Sequence, residues 1–305
     1  MKKLKKNGSK KIIVVVGPTA SGKSALAVDL AKQYNGEVIS ADSRQVYQGL
    51  DIGSGKITKK EMSGIKHHLL DVISPRQTFT AADYKRLAKK SLKEIWSENK
   101  LPIVCGGTGL YIDALIFDFS IPVVKPQVKL RAELEKKTTT TLFTQLKKLD
   151  PARAKIIDRF NRRRLIRALE IVLVTGRPVP PLKKKTIVLP ENILWVGLRP
   201  DTEILKKKIE KRLDQRLRHG LIEEVRQLNN QGLSWEKLES FGLEYRWLAY
   251  FLQSKISENE MRENLIKEIT AYAKRQMTWF KRNKNIFWLS SPASVKLLVT
   301  DFLKS

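Results

Sequence analysis

The chain has 305 residues, 42 % of them apolar and 30 % charged, which allows a full core and excludes wholesale disorder. One cysteine, Cys105, rules out an intrachain disulfide framework and argues against a cysteine-based zinc site; the longest aliphatic run, Ile12–Val16, is far too short to span a membrane, and the N-terminus lacks the pattern of a secretion signal. Lysine and arginine number 59 against 31 acidic residues, a net charge of +28 that favours a polyanionic partner, nucleic acid ahead of a membrane surface.

In chain order, lysines at 2, 3, 5, 6, 10 and 11 form a basic tail. Ile12–Val16 is a short β-branched run and predicts a buried strand, Ser24–Tyr34 has helical apolar spacing, and Glu37–Ser40 reads as a second strand. Ala81–Trp96 is amphipathic and helical, Leu101–Cys105 is a third strand, and Leu110–Ile116 another helix. From 121 to 190 the character changes. Val128–Lys136, Leu142–Leu149, Pro151–Ile157 and Arg162–Thr175 all predict helices, and this stretch holds 18 basic and 5 acidic residues, a net +13. Thr138–Thr141 reads as a loop or helix start; Pro178, Pro180, Pro181 and Lys183–Lys185 read as an exposed connection. Strand character returns at Leu194–Leu198 and Ile286–Leu289, with helices at Leu205–Leu217, Ile222–Gln231 and Glu258–Lys281 between them.

The pattern predicts an α/β fold. A parallel sheet, P-loop NTPase-like by the Gly17–Ser24 G-x-x-x-x-G-K-S run that follows its first strand, is flanked by helices and interrupted by an inserted, mainly helical domain. The expected boundaries are a catalytic core at 11–120, the basic insertion at 121–192, the rest of the core at 193–290, and terminal segments at 1–10 and 291–305.

Gly17-Pro18-Thr19-Ala20-Ser21-Gly22-Lys23-Ser24 fits G-x-x-x-x-G-K-[ST] between a strand and a helix, the context that motif requires. Backbone N–H groups and a helix N-terminus cradle phosphate there. Lys23 reaches a phosphate and Ser24 offers a hydroxyl to Mg²⁺. The motif names a ligand group and not a reaction. Asp42, at the end of the second strand, suits a general base, a Mg²⁺ ligand or a turn cap. Thr108, after Gly106 and Gly107, is either a site hydroxyl or a helix cap. His67 and His68 are adjacent and do not suggest a metal site, and Cys105 reads as a small buried hydrophobe.

In order along the chain, GPTASGKS (Gly17–Ser24), the Ala41–Tyr47 segment, DIGSGK (Asp51–Lys56), HHLLD (His67–Asp71), FTAADY (Phe79–Tyr84), GGTGLYIDAL (Gly106–Leu115), RRLIRALE (Arg163–Glu170) and AKRQMTWF (Ala273–Phe280) resemble the tRNA dimethylallyltransferases, also called tRNA isopentenyltransferases. The resemblance implies transfer of a dimethylallyl group from dimethylallyl diphosphate to N6 of the adenosine 3′ of the anticodon, with Mg²⁺ as cofactor. The phosphate loop would then grip diphosphate. Lys23, Asp42, Thr108 and Arg212 become the catalytic set, although Arg212 by itself reads as a solvated helix charge.

The adenine must be flipped out of the anticodon loop to react. Expected tRNA contacts are Asp42, Ser43, Arg44, Gln45, Thr108, Lys129 (where the family carries an arginine), Arg163, Arg164, Leu165, Ile166, Arg167, Gly242, Tyr245, Arg246, Lys274, Arg275 and Gln276. Trp279 fits core packing as well as base stacking. Arg162–Arg164 fit a solvated face as well as an RNA clamp, and the local +13 favours the clamp. The expected partners are the tRNA anticodon stem-loop and a prenyl diphosphate, with no membrane. The expected state is a cytoplasmic monomer. The competing readings are a P-loop kinase of a small metabolite or nucleoside, prenylation of free AMP or ADP, and a non-catalytic RNA-binding protein.

Overall fold

The computed structural model describes residues 10–119, 122, 124–180, 186–290 and 295–305. The lysines at 2, 3, 5 and 6, the connection at Pro181 and Lys183–Lys185, and the expected boundary at 121 lie outside them.

Six parallel strands form one sheet. They are β1 (Ile12–Val16), β2 (Gly36–Ser40), β3 (His67–His68), β4 (Leu101–Gly106), β5 (Ile193–Leu198) and β6 (Ile286–Leu289), in spatial order β3-β2-β4-β1-β5-β6. Every residue of β1, β2, β4 and β5 is buried. This explains the continuous apolar character of β1, β4 and β5, because a parallel sheet is covered on both faces, whereas β2 also buries Glu37 and Ser40. Alternation along β1 sends Ile12, Val14 and Val16 to one core and Ile13 and Val15 to the other.

In chain order the helices are α1 (Lys23–Gln33), α2 (Lys59–Met62), α3 (Ala81–Ser97) and α4 (Gly109–Ile116), then α5 (Val128–Glu135), α6 (Thr139–Leu149), α7 (Pro151–Ile156) and α8 (Arg162–Thr175), then α9 (Thr202–Arg218), α10 (Leu221–Asn230), α11 (Trp235–Phe241), α12 (Leu243–Leu252), α13 (Glu258–Phe280) and α14 (Val295–Lys304). α3 and α4 pack on the Val14 face, and α1 and α14 on the Val15 face. Helices α9 to α13 share a separate core with Val46, Tyr47 and Leu50. Reciprocal capping boxes start α3 (Thr80 with Asp83) and α13 (Ser257 with Glu260).

The chain divides into two compact units, Met1–Asp118 with Thr186–Ser305, and Phe119–Lys185. The second contains α5 to α8, with Leu134, Leu142, Leu146, Leu165 and Leu169 at its centre. The Thr138–Thr141 run is a helix start, since the Thr138 hydroxyl accepts from the Thr141 N–H. Glu170, fully buried, accepts from the Arg131 and Arg167 guanidiniums and the Gln127 N–H. Burial alone would raise its pKa, but those donors outweigh it and hold the carboxyl at about 2.

The histidine pair forms the edge strand β3. His68 Nε2 lies 2.6 Å from the Glu37 carboxylate, which also accepts from Lys100. Among the described residues no three His, Cys, Asp or Glu side chains cluster as a metal site.

Candidate active site

Three strand ends supply the site. β1 runs into the phosphate loop, and Gly22 caps α1, whose first turn carries no acidic residue. Its free N–H groups therefore favour an anion. β2 ends at Ser40, two residues before Asp42, and β4 ends at Gly106. The backbone there closes tightly: the Ala41 N–H donates to Cys105 O at 2.8 Å, and the Thr108 N–H donates to Ala41 O at 3.0 Å. A Cβ on Gly106 would collide with the Ala41 backbone, so this junction requires glycine.

A pocket of about 710 Å³, open mouth included, lies at these ends. Its wall carries Lys23, Ser24, Asp42, Arg44, Gln45, Arg212, Arg216, Glu244, Tyr272 and Gln276. It joins the expected Lys23, Asp42 and Arg212. Arg212 is half-buried and not a solvated helix charge. Burial, and next the neighbouring Arg216, draw the Arg212 pKa down to about 10. Burial also lowers Lys23, with Cys105 and Asp42 opposing it and Arg212 and Arg216 adding to the fall. Both cations are thus held where an anion would relieve their desolvation. Lys208 and Lys211 line an adjoining opening beside Gly22 and Ser24.

Asp42 Oδ1 accepts from the N–H groups of Arg44 (2.8 Å) and Gln45 (3.4 Å), so the turn-cap reading holds for one carboxylate oxygen. Thr108 Oγ1 does not cap α4. It accepts from the Ser43 N–H at 3.0 Å and ties the end of β4 to the turn after Asp42. Cys105 is buried, and burial raises its thiol to about 11, which fits a small hydrophobe rather than a nucleophile.

Several expected tRNA contacts are buried or held by internal hydrogen bonds. Tyr245 is 1 % exposed and donates to Glu224, and Leu165 and Ile166 belong to the core of the 119–185 unit; none of these three side chains reaches the surface. Gln276 is 5 % exposed, accepts from the Thr19 N–H and donates to Gly107 O, so it bridges the phosphate loop and the β4–α4 turn. Arg167 is engaged by Glu170 and the Val124 carbonyl. Trp279 resolves toward packing: it lies against the sheet core and its indole N–H donates to Asp113. Arg44 donates to Phe241 O, and Arg246 lies partly buried beside Gly242. Lys129, Arg163, Arg164, Lys274 and Arg275 are exposed. Sequence reasoning missed Arg216, Glu244 and Tyr272 in the wall. Arg216 follows Arg212 by one helical turn, a spacing that was legible.

Residues 45–283 match the IPP transferase family. The tRNA dimethylallyltransferase of Acetivibrio thermocellus is 40 % identical over 285 residues, covering 92 % of this chain and 91 % of that protein. Among solved structures, the full-length tRNA isopentenylpyrophosphate transferase of Bacillus halodurans matches with 35 % identity and a TM-score of 0.72 over 97 % of both chains. A eukaryotic dimethylallyltransferase acting on tRNA matches with 26 % identity and a TM-score of 0.80, covering 97 % of this chain and 80 % of that one.

Proposed function

The chain belongs to the tRNA dimethylallyltransferase family, and from that premise we propose that it transfers the dimethylallyl group of dimethylallyl diphosphate to N6 of the adenosine 3′ of the tRNA anticodon. The observation that carries the reading at residue level is the convergence of Lys23, Asp42 and Arg212 in one pocket, with Thr108 anchoring the turn beside it.

The exocyclic amine is a weak nucleophile. Its lone pair attacks the allylic carbon while the carbon–oxygen bond breaks, and the electron pair of that bond leaves on diphosphate. The growing negative charge falls to Lys23, Arg212 and the N-terminus of α1. Asp42 takes the N6 proton through the carboxylate oxygen not engaged by the turn. Thr108 fixes the loop that carries Asp42.

The buried Ser21 hydroxyl has no hydrogen-bond partner within the loop, which fits a loop built to meet phosphate oxygens. Mg²⁺ holds few protein ligands when phosphates supply the rest. The exposed Ser24 hydroxyl and the Asp42 carboxylate suit that arrangement, in which the ion would neutralise the leaving diphosphate. Arg163 and Arg164, exposed on α8, fit a clamp for the anticodon stem-loop. We place the reaction in the cytoplasm, with its tRNA substrate. Among the described residues no helix is long and apolar enough to cross a membrane.

The test is nucleoside mass spectrometry after incubation with Mg²⁺, dimethylallyl diphosphate and unmodified tRNA. A prenyl mass increment on adenosine, absent with free AMP, is the expected result. ATP consumption with a small metabolite and no increment on any tRNA would replace this reading with a kinase.

A further inference from the structure

The Asp51–Lys56 segment forms a tight loop, with the Gly55 N–H donating to Ile52 O and the Lys56 N–H to Asp51 O. Its inner carbonyls meet two guanidiniums of the pocket: Arg216 donates to Gly53 O at 3.4 Å and Arg212 to Gly55 O at 3.3 Å. Gly55 O accepts from Gln45 as well. Gly55 has φ +60°, and a Cβ there would fall inside both guanidiniums, so the loop is shaped around the two arginines. Gly53 presses on the Tyr245 ring, where a Cβ would come within 2.6 Å of Cζ.

The outer side of the loop is held by one carboxylate that does not line the pocket. Glu224, in the first turn of α10, accepts from three successive N–H groups: Asp51 at 3.0 Å, Ile52 at 2.5 Å and Gly53 at 3.0 Å. Its Oε1 also accepts from the Tyr245 hydroxyl at 2.9 Å. Three of the four donors on this carboxylate are backbone N–H groups, so its charge-assisted bonds fix the loop backbone. Lys56 fastens the other end of the loop, through ion pairs with Asp51 and Asp71.

We propose that Glu224 is a positioning residue for diphosphate binding: by fixing the Asp51–Lys56 loop it aims the Gly53 and Gly55 carbonyls at Arg216 and Arg212 and so sets both guanidiniums toward the diphosphate. The proposal rests on the prenyl-transfer reading for its substrate, but its first readout is binding and needs no turnover. A carboxylate is required because both oxygens accept. Glu224→Gln keeps the volume but turns one acceptor into a donor facing backbone N–H groups. Gly55→Ala disturbs the same arginines from the loop side and leaves Glu224 alone. Tyr245→Phe removes one of the four donors and keeps the loop contacts.

The experiment measures inorganic diphosphate binding by calorimetry, KM for dimethylallyl diphosphate and for tRNA, and thermal midpoint. Glu224→Gln and Gly55→Ala are each expected to weaken diphosphate binding about ten- to a hundredfold and raise the KM for dimethylallyl diphosphate in step. The KM for tRNA should stay within about twofold. The double variant should be no worse than the weaker single variant, and Tyr245→Phe should bind diphosphate like the parent. Parent-like diphosphate binding by a folded Glu224→Gln, whatever its thermal midpoint, overturns the proposal. If that variant fails to fold, parent-like binding by Gly55→Ala overturns it instead. A parent that binds diphosphate in a Glu224-dependent way but never prenylates tRNA would refute the activity and leave this inference standing.

Discussion

Asp42 has a structural task on one oxygen and, in the proposed mechanism, a chemical one on the other. Oδ1 caps the turn at Arg44 and Gln45, and in the proposed mechanism proton transfer falls to the other oxygen. Asp42→Ala removes both, so Asp42→Asn is the sharper test: it keeps an acceptor for the turn and abolishes the base. The expected result is a fall in kcat of about 10²- to 10⁴-fold with tRNA affinity retained, measured by single-turnover kinetics and filter binding. Arg212 supplies a pH prediction. Its pKa is drawn to about 10, chiefly by burial, and an anion can use it only while it is protonated. Diphosphate affinity should therefore hold to the acid side of about 10 and fall as pH rises through that value, with Lys23, also lowered, contributing to the same limb. Calorimetry from neutral to alkaline pH reads it; affinity that persists past the transition would remove Arg212 from the diphosphate site.

At the scale of elements, α8 divides its arginines between two jobs. Arg163 and Arg164 are exposed, whereas Arg167 serves the buried Glu170. Charge reversal for testing RNA binding therefore belongs at Arg163 and Arg164; at Arg167 it would unpair Glu170 and confuse folding with binding. Reversing both exposed arginines should weaken tRNA binding and flatten its dependence on salt by about one unit of slope per lost phosphate contact. Unchanged binding at low and moderate salt would place the clamp elsewhere. Glu170 carries the acid dependence of its unit. Its folded pKa of about 2 lies below the ordinary 4.5, so its contribution is present above the ordinary value and is lost as pH falls from there toward about 2. Circular dichroism should show Glu170→Gln with lower stability at neutral pH and a shallower acid loss.

The same elements show where sequence is informative. β1, β4 and β5 announced themselves because short apolar runs buried on both faces have few other uses. The phosphate loop and Asp42 were legible because strand ends and helix starts constrain them locally. β3 was not: two histidines make no apolar pattern, and their place comes from Glu37 across the sheet. α11 and α12 are short, and their burial against α10 and α13 is tertiary, so Gly242, Tyr245 and Arg246 read as RNA contacts although Tyr245 lies inside. Leu165 and Ile166 travelled with a basic motif whose apolar half faces the core. Chemistry that depends on loops meeting across distance in sequence, such as Glu224 with residues 51–53, leaves no local trace.

For the whole molecule, a net charge of +28 sets a long-range field, and the rate of tRNA association should fall steeply with ionic strength even where chemistry does not. The parallel order β3-β2-β4-β1-β5-β6 carries the chain from β4 past β1 to β5, and the 119–185 unit is inserted in that crossover. Just outside it, the Ile187 N–H donates to Ile116 O at 3.1 Å, so the chain leaves the core and re-enters it at neighbouring points. Such a doorway makes the insertion removable in principle: a short glycine–serine bridge spans a gap of this kind without pulling on the sheet. A chain shortened in this way should still fold and hold diphosphate while losing its hold on tRNA, which would assign diphosphate binding to the core and tRNA reading to the helical unit.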